Sequence, residues 1–161
     1  MTSFSASAIP VDLVFLRDAK TLYGEKGLAT ATENAAGTDL RACLVDETEI
    51  VVPAGERRSV PSGIRIAPRV PGIAAFVYSR SGLGAVKGLT VAQGVGLIDP
   101  DYRGEIMVFL LNTGAGAYTV RKGDRIAQMV FQPFVLPAFT LVPSLDGTAR
   151  GGGGFGHTGS V

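Results

Sequence analysis

Glycine and proline cut this chain into pieces too short for long regular helices. The 161 residues include 22 glycines and 9 prolines, and both recur from end to end. Glycine alone is about 14% of the chain, roughly twice its usual ~7% share. Between these breakers lie short runs rich in Val, Ile and Phe: Glu49 to Val52, Gly63 to Ala67, Ile73 to Tyr78, Glu105 to Leu111 and Arg125 to Phe131. Several alternate, as where Ile64 and Ile66 flank Arg65, and Arg57-Arg58 follow the turn-like Pro53-Ala54-Gly55. Short alternating segments bounded by turn residues predict an all-β barrel or sandwich. No long amphipathic helix is expected. The best helical stretch is Ser81 to Lys87, and it carries Gly82 and Gly84. Residues 1 to 10 and Thr21 to Ala35 read only as loop or edge strand.

Glu105 to Leu111 is apolar on both parities: Met107, Phe109 and Leu111 on one side, Ile106, Val108 and Leu110 on the other. A strand apolar on both faces is buried on both faces. In a small domain that is easiest if one face packs inside the sandwich and the other in a subunit interface, so an oligomer is expected.

Composition excludes several classes. Lys+Arg 15 against Asp+Glu 14 gives a formal net charge of +1, without the basic excess of a nucleic-acid or membrane-surface binder. Cys43 is the only cysteine and His157 the only histidine. Internal disulfides, cysteine-based metal sites and two-histidine metal motifs are therefore out. Cys43, beside Leu44 and Val45, reads as a small core residue. No apolar run is longer than that of Ile73 to Tyr78, far below the ~20 residues of a membrane helix. Met1 to Pro10 lack the basic start and apolar stretch of a secretory signal, and a cytoplasmic location is expected. Residues 1–145 read as one domain. Residues 146–161 read as a flexible arm, since seven of those sixteen are glycine and too little apolar surface is present to offset ordering.

Five segments could carry chemistry. Tyr78-Ser79-Arg80-Ser81-Gly82-Leu83-Gly84 offers a guanidinium, a hydroxyl and approachable N–H groups, an anion site if a helical turn begins near Ser81. Its plainer reading is a turn with a solvated arginine. Gly94 to Gly104 places Asp99, Asp101, Tyr102 and Arg103 around a Pro100 bend, which is equally a β-turn. Gln128 sits within an apolar strand, where an amide costs about 1–3 kcal/mol unless it is bonded. A bond to a neighbouring strand or a water would satisfy it. Asp39 and Arg41, in Ala36 to Ala42, share a strand face and could simply pair with each other. Arg150 and Phe155 stand out in the glycine-rich tail, where His157 reads as incidental.

In this order the five segments resemble the motifs of the trimeric dUTPase family: AGTDLRA, SRSGLG, GLIDPDYRGEI, RIAQMVF and RGGGGFGHTG. Each is weak alone; together they are specific, and the resemblance runs from Ala36 to Gly159. It implies a homotrimer of β jelly rolls with active sites at subunit interfaces. Such enzymes hydrolyse dUTP to dUMP and pyrophosphate with Mg²⁺, which keeps uracil out of DNA and supplies dUMP for dTMP synthesis. By the same resemblance Asp99 is the general base that directs water at the α-phosphorus. Arg80, Ser81, Gly82 and Gln128 hold the phosphate chain, and Asp39 touches the water shell of Mg²⁺. Arg150 reaches the γ-phosphate, and Phe155 covers the uracil. Tyr102 presses on the deoxyribose and excludes a 2′-hydroxyl. A hairpin over Gln93 to Ile98, including Gly96 and Ile98, faces the base. Gln93 stands where many members carry asparagine, and Gly151 to Gly154 is an uninterrupted glycine run where many have a polar residue.

Two rivals share the scaffold. A dCTP deaminase-like enzyme would need an acid placed to protonate the base ring. A non-catalytic nucleotide-binding relative would be expected to lose Asp99 or the tail motif.

Overall fold

A computed structural model describes residues 8–24 and 27–154. Eleven short strands and two short helices follow in order: β1 Val11–Phe15, α1 Ala19–Tyr23, β2 Thr38–Arg41, β3 Glu49–Val52, β4 Arg57–Pro61, β5 Ile64–Pro68, β6 Ile73–Tyr78, α2 Ser81–Lys87, β7 Leu89–Val91, β8 Val95–Ile98, β9 Met107–Asn112, β10 Tyr118–Arg121 and β11 Arg125–Pro133. The strands pair in four sheets, β2-β11-β6-β8, β4-β9-β7, β1-β5 and β10-β3. Every ladder is antiparallel. This is the all-β architecture expected from the turn spacing, with the jelly-roll-like form that the family resemblance implies.

Alternation explains the packing. In β5, Ile64 and Ile66 are buried and Arg65 points out. The core joins them to Leu40, Val60, Leu110, Ile126 and Met129. Strand β9 behaves as its parity requires on one side: Val108 and Leu110 are buried, and so is Ile106 just before it. On the other side Met107 and Phe109 remain 38% and 47% exposed in a single copy. Asn112 ends β9 as a buried amide whose bonds are made. Its Nδ2 donates to the carbonyls of Val52 and Gly116, both at 2.8 Å, and its Oδ1 accepts the Gly114 N–H at 2.9 Å. Gly63 is fixed twice over, by a left-handed φ of +74° and by lack of room, since a Cβ there would lie 2.6 Å from both Ala19 Cβ and Cys43 Sγ. Cys43 is fully buried, as expected.

The region 21–35 differs from the loop or edge strand expected, because Thr21 to Tyr23 complete α1. Five residues are too few to show a period of 3.6; tertiary contacts hold this turn instead. The Tyr23 hydroxyl donates to the Ser62 carbonyl at 3.0 Å and accepts the Arg41 N–H at 2.9 Å. Burial is the main reason its phenol is pushed up to about 12 from an ordinary 10.0. The fold favours the neutral phenol, so this stabilisation is complete below pH 10 and is lost as the pH rises through 12. Tyr23→Phe should cost about 1–3 kcal/mol at neutral pH by stranding two backbone groups. Thermal melts should also show a flatter loss of stability across pH 10–12 in the variant than in the parent. Identical slopes would mean that the phenol is not insulated from solvent.

The last strand ends at Pro133, and no strand or helix follows among the described residues. Val135, Leu136, Phe139, Leu141 and Leu145 beyond it are each at least 85% exposed. No described helix is long and apolar enough to cross a membrane.

Candidate active site

Strand register brings three separate segments to one place. Gln128 of β11 lies opposite Asp39 of β2 on one side and opposite Tyr78 of β6 on the other. Arg80 follows β6 by two residues and serves as the N-cap of α2. The Asp39 carboxylate, 15% exposed, forms an ion pair with Arg80 (Nε to Oδ1, 2.9 Å) and accepts a hydrogen bond from Arg125 Nη1 on Oδ2 at 3.1 Å. Arg80 Nη1 also donates to the Arg125 carbonyl at 3.2 Å. The guanidinium of Arg80 is therefore aimed rather than loosely solvated. Asp39 and Arg41 do not pair: Arg41 Nη1 donates to the Gly123 carbonyl at 2.7 Å.

Gln128 takes the satisfied form, its Nε2 donating to the Ser79 carbonyl at 3.1 Å. Ser79 Oγ in turn accepts the Val91 N–H at 2.8 Å, tying this corner to β7. Gly37 makes the approach possible, because a Cβ there would stand 2.9 Å from Gln128 Oε1. Ser81 and Gly82 form the first turn of α2, where backbone N–H groups have no preceding intrahelical acceptor. Beside the cluster, between α2 and the start of β11, a cavity of about 220 Å³ is lined by Arg80, Leu83, Tyr118, Asp124 and Arg125 among others. A second, of about 160 Å³, opens beyond Asp39 toward Tyr23 and Thr30. Two guanidiniums beside open space, next to a helix start, can seat a polyanion.

The segment carrying Asp99 lies elsewhere. Strand β8 runs antiparallel to β6, with Val95 opposite Tyr78 and Ile98 opposite Ala75. Asp99 thus leaves the far end of the ladder, while Arg80 leaves the near one. The run from Ala75 to Arg80 at ~3.3 Å per residue separates them by roughly 17 Å. Asp99 sits in a tight bend whose carbonyl accepts the Tyr102 N–H at 3.1 Å. Tyr102 is 44% exposed, and its hydroxyl donates to the Glu105 carbonyl at 3.0 Å.

The expected hairpin over Gln93 to Ile98 is not formed. A turn closes with the Gly94 N–H on the Val91 carbonyl at 3.0 Å, but β7 then pairs with β9 and β8 with β6. The chain crosses between sheets there, since each strand finds its apolar partners in a different layer. The Gln93 amide lies close over Gly96, 3.4 Å from where a Cβ would be. Ile98 is half-buried and packs on the core. Among the described residues Arg150 bonds locally, its Nε donating to the Gly153 carbonyl at 3.0 Å. Phe155 and His157 lie outside the described residues.

Arg125 and Gly37 belong to the cluster although neither stood out in the sequence. Strict alternation puts Arg125 and Gln128 on opposite faces. A register shift between Arg125 and Ala127 brings both to the Asp39 side. The one sequence signal was a basic residue three positions before the glutamine.

Fold and site together define an all-β protein with a guanidinium–carboxylate cluster beside open cavities. Among known proteins, a model of the dUTPase family matches residues 26–159. The deoxyuridine 5'-triphosphate nucleotidohydrolase of Desulfitobacterium hafniense is 49% identical over 129 residues, covering 80% of this chain and 84% of that one. The enzyme of the same name from Escherichia coli is 46% identical over the same coverage. Among solved structures, a dUTPase of Staphylococcus bacteriophage 80alpha, determined with dUpNHpp, superposes with a TM-score of 0.77 at 20% identity, covering 93% of this chain and 98% of that one. The dUTPase of Streptococcus mutans gives a TM-score of 0.65 at 26% identity, covering 80% and 98%. The chain belongs to the dUTPase family.

Proposed function

We propose that this chain is a dUTP diphosphatase, hydrolysing dUTP to dUMP and pyrophosphate by attack of water on the α-phosphorus. The observation that carries the reading is the Asp39–Arg80–Arg125 cluster beside Gln128, assembled by strand register in a chain of this family. Such a reaction leaves little covalent work to the protein, so positioning and charge neutralisation dominate.

Each residue then has a task. Arg80, Ser81, Gly82 and Gln128 hold the phosphates, and Asp39 keeps the Arg80 guanidinium aimed. Asp99, on a rigid bend, takes the proton of the attacking water. Tyr102 stands against the deoxyribose, and Gln93, Gly96 and the backbone at Ile98 meet the base. Arg150 reaches the γ-phosphate, Phe155 covers the uracil, and residues 146–161 act as an arm that closes over the site.

The donor set fits Mg²⁺ carried by the substrate. Among the described residues no three His, Cys, Asp or Glu gather as a metal cage. Both Asp39 oxygens are already engaged by guanidinium groups, so a contact through the metal's water shell suits it better than direct ligation. Mg²⁺ keeps several waters in nucleotide sites and binds through substrate phosphates. Bound there, it would neutralise charge on the phosphates and on the departing pyrophosphate.

The working unit in this reading is a homotrimer with sites between subunits. Three features support it. Asp99 lies too far from Arg80 in one copy to act on the same substrate. Met107 and Phe109 leave an apolar stripe on the outside of β9. The segment after β11 holds five large apolar side chains away from the body. Patches of this kind mark association surfaces.

The test is pyrophosphate release from dUTP with Mg²⁺ supplied, with dCTP, dTTP and UTP as controls. Rapid release from dUTP alone is expected. Ammonia release from dCTP would favour the deaminase-like reading, and binding of dUTP without turnover the non-catalytic one.

A further inference from the structure

The Tyr102 ring does not stand free on its bend. It folds forward across Gly104, so that a Cβ built on Gly104 would lie 2.2 Å from the Tyr102 oxygen, 2.4 Å from Cζ and 2.9 Å from Cε2. The φ of Gly104 is not left-handed, so the backbone makes no demand for glycine here. Space for the ring is the only requirement that the structure places on it. The ring's hydroxyl is held as well, by the Glu105 carbonyl at 3.0 Å. Glu105 is itself anchored: its carboxylate accepts the Gly63 N–H at 2.7 Å and pairs with Arg17. The next residue, Ile106, is buried, and its N–H donates to the Ile64 carbonyl at 3.0 Å. The phenol thus rests on a surface fixed to the core, with 44% of the residue exposed.

We infer that Gly104 and the Glu105 carbonyl are the backstop of a sugar gate: they seat the Tyr102 ring where it leaves room for a deoxyribose but none for a 2′-hydroxyl. Gly104 is a positioning residue that acts through Tyr102. This rests on the reading of Tyr102 as the residue against the sugar. A side-chain wall excludes an extra hydroxyl only while it is rigid, because a ring free to swing by an ångström opens the space it is meant to close. An alanine at position 104 would have to push the Tyr102 oxygen from 2.2 Å to beyond 3.0 Å, a shift of at least 0.8 Å. The displaced atoms are the far end of a side chain, so the ring moves and the bend keeps its course.

The experiment measures kcat/KM for dUTP and UTP in the parent, Gly104→Ala, Tyr102→Ala and the double variant. Gly104→Ala is expected to lower the dUTP-to-UTP ratio about tenfold or more. It should do so through a raised KM for dUTP, because the ring is pushed off Gly104 toward the sugar it must admit, with kcat for dUTP largely kept and UTP still excluded. In the Tyr102→Ala background the same substitution should change nothing further, the mark of action through one side chain. A ratio unchanged in Gly104→Ala but altered in Tyr102→Ala overturns the backstop and spares the sugar reading. A ratio unchanged in Tyr102→Ala overturns both. Should Gly104→Ala not fold, Tyr102→Phe decides. It removes only the bond to the Glu105 carbonyl and should lower the ratio by a smaller factor, and an unchanged ratio there overturns the proposal.

Discussion

Asp99→Asn should lower the turnover of dUTP by about 10²–10⁴-fold, the usual worth of a positioned general base, while leaving nucleotide affinity nearly as it was. The substitution keeps the shape of the side chain and removes its ability to take a proton. The bend should survive, because the bond that closes it uses the Asp99 backbone carbonyl and the Tyr102 N–H. Affinity should survive too, because Arg80 and Gln128, the residues proposed to hold the phosphates, lie at the other end of β6. Single-turnover pyrophosphate release would read the first effect and titration with dUTP the second. Turnover equal to the parent would remove Asp99 from the mechanism. A loss of affinity as large as the loss of rate would make it a binding group.

Mixing two dead variants should restore activity. Arg80→Ala breaks the phosphate seat and Asp99→Asn the base, so each alone is expected to be nearly inactive. In one copy these residues are roughly 17 Å apart by strand rise, too far to serve one triphosphate. If each site draws them from different copies, trimers refolded from an equal mixture carry some sites with both residues intact. Random assembly makes that about one quarter of all sites in a ring with one such pairing per site. Pyrophosphate release near that fraction of the parent rate is the expected outcome. No recovery, in mixtures that mass measurement shows to be mixed trimers, would mean that both residues act within one subunit. The shared site would then be wrong, although the family membership would stand.

Much of the architecture was legible before any coordinates. Glycine and proline mark the turns, so β3 and β6 fall at Glu49–Val52 and Ile73–Tyr78, the short apolar-rich runs between those breakers. Helix α2 occupies Ser81–Lys87, the best helical stretch in the sequence. The two apolar parities of Met107–Leu111 showed that both faces of β9 seek cover, and only the structure tells that Val108 and Leu110 face inward. Helix α1 was not legible, because five residues held by the two bonds of the Tyr23 hydroxyl carry no period of their own.

The site divides in the same way. Residue types and their order along the chain are local properties, so Asp39, Arg80, Asp99, Tyr102 and Gln128 could be singled out from the sequence by their chemistry. Which of them meet is a property of register, and register is set by pairing between distant strands. Pairing puts Asp39 and Tyr78 on either side of Gln128 and sends Asp99 to the opposite end of β6. A single shift in β11 turns Arg125 onto the face of Asp39 against the alternation of its own strand. Close approach is likewise invisible in a string of letters: Gly37 under Gln128 and Gly104 under Tyr102 look like any other glycine until two chain segments are in contact. The sequence by itself determined the strands, the turns and the chemical groups, because these follow from neighbours one to four residues away. Only the tertiary structure decided which groups share a site and which glycines make room for them, because those depend on packing between segments tens of residues apart.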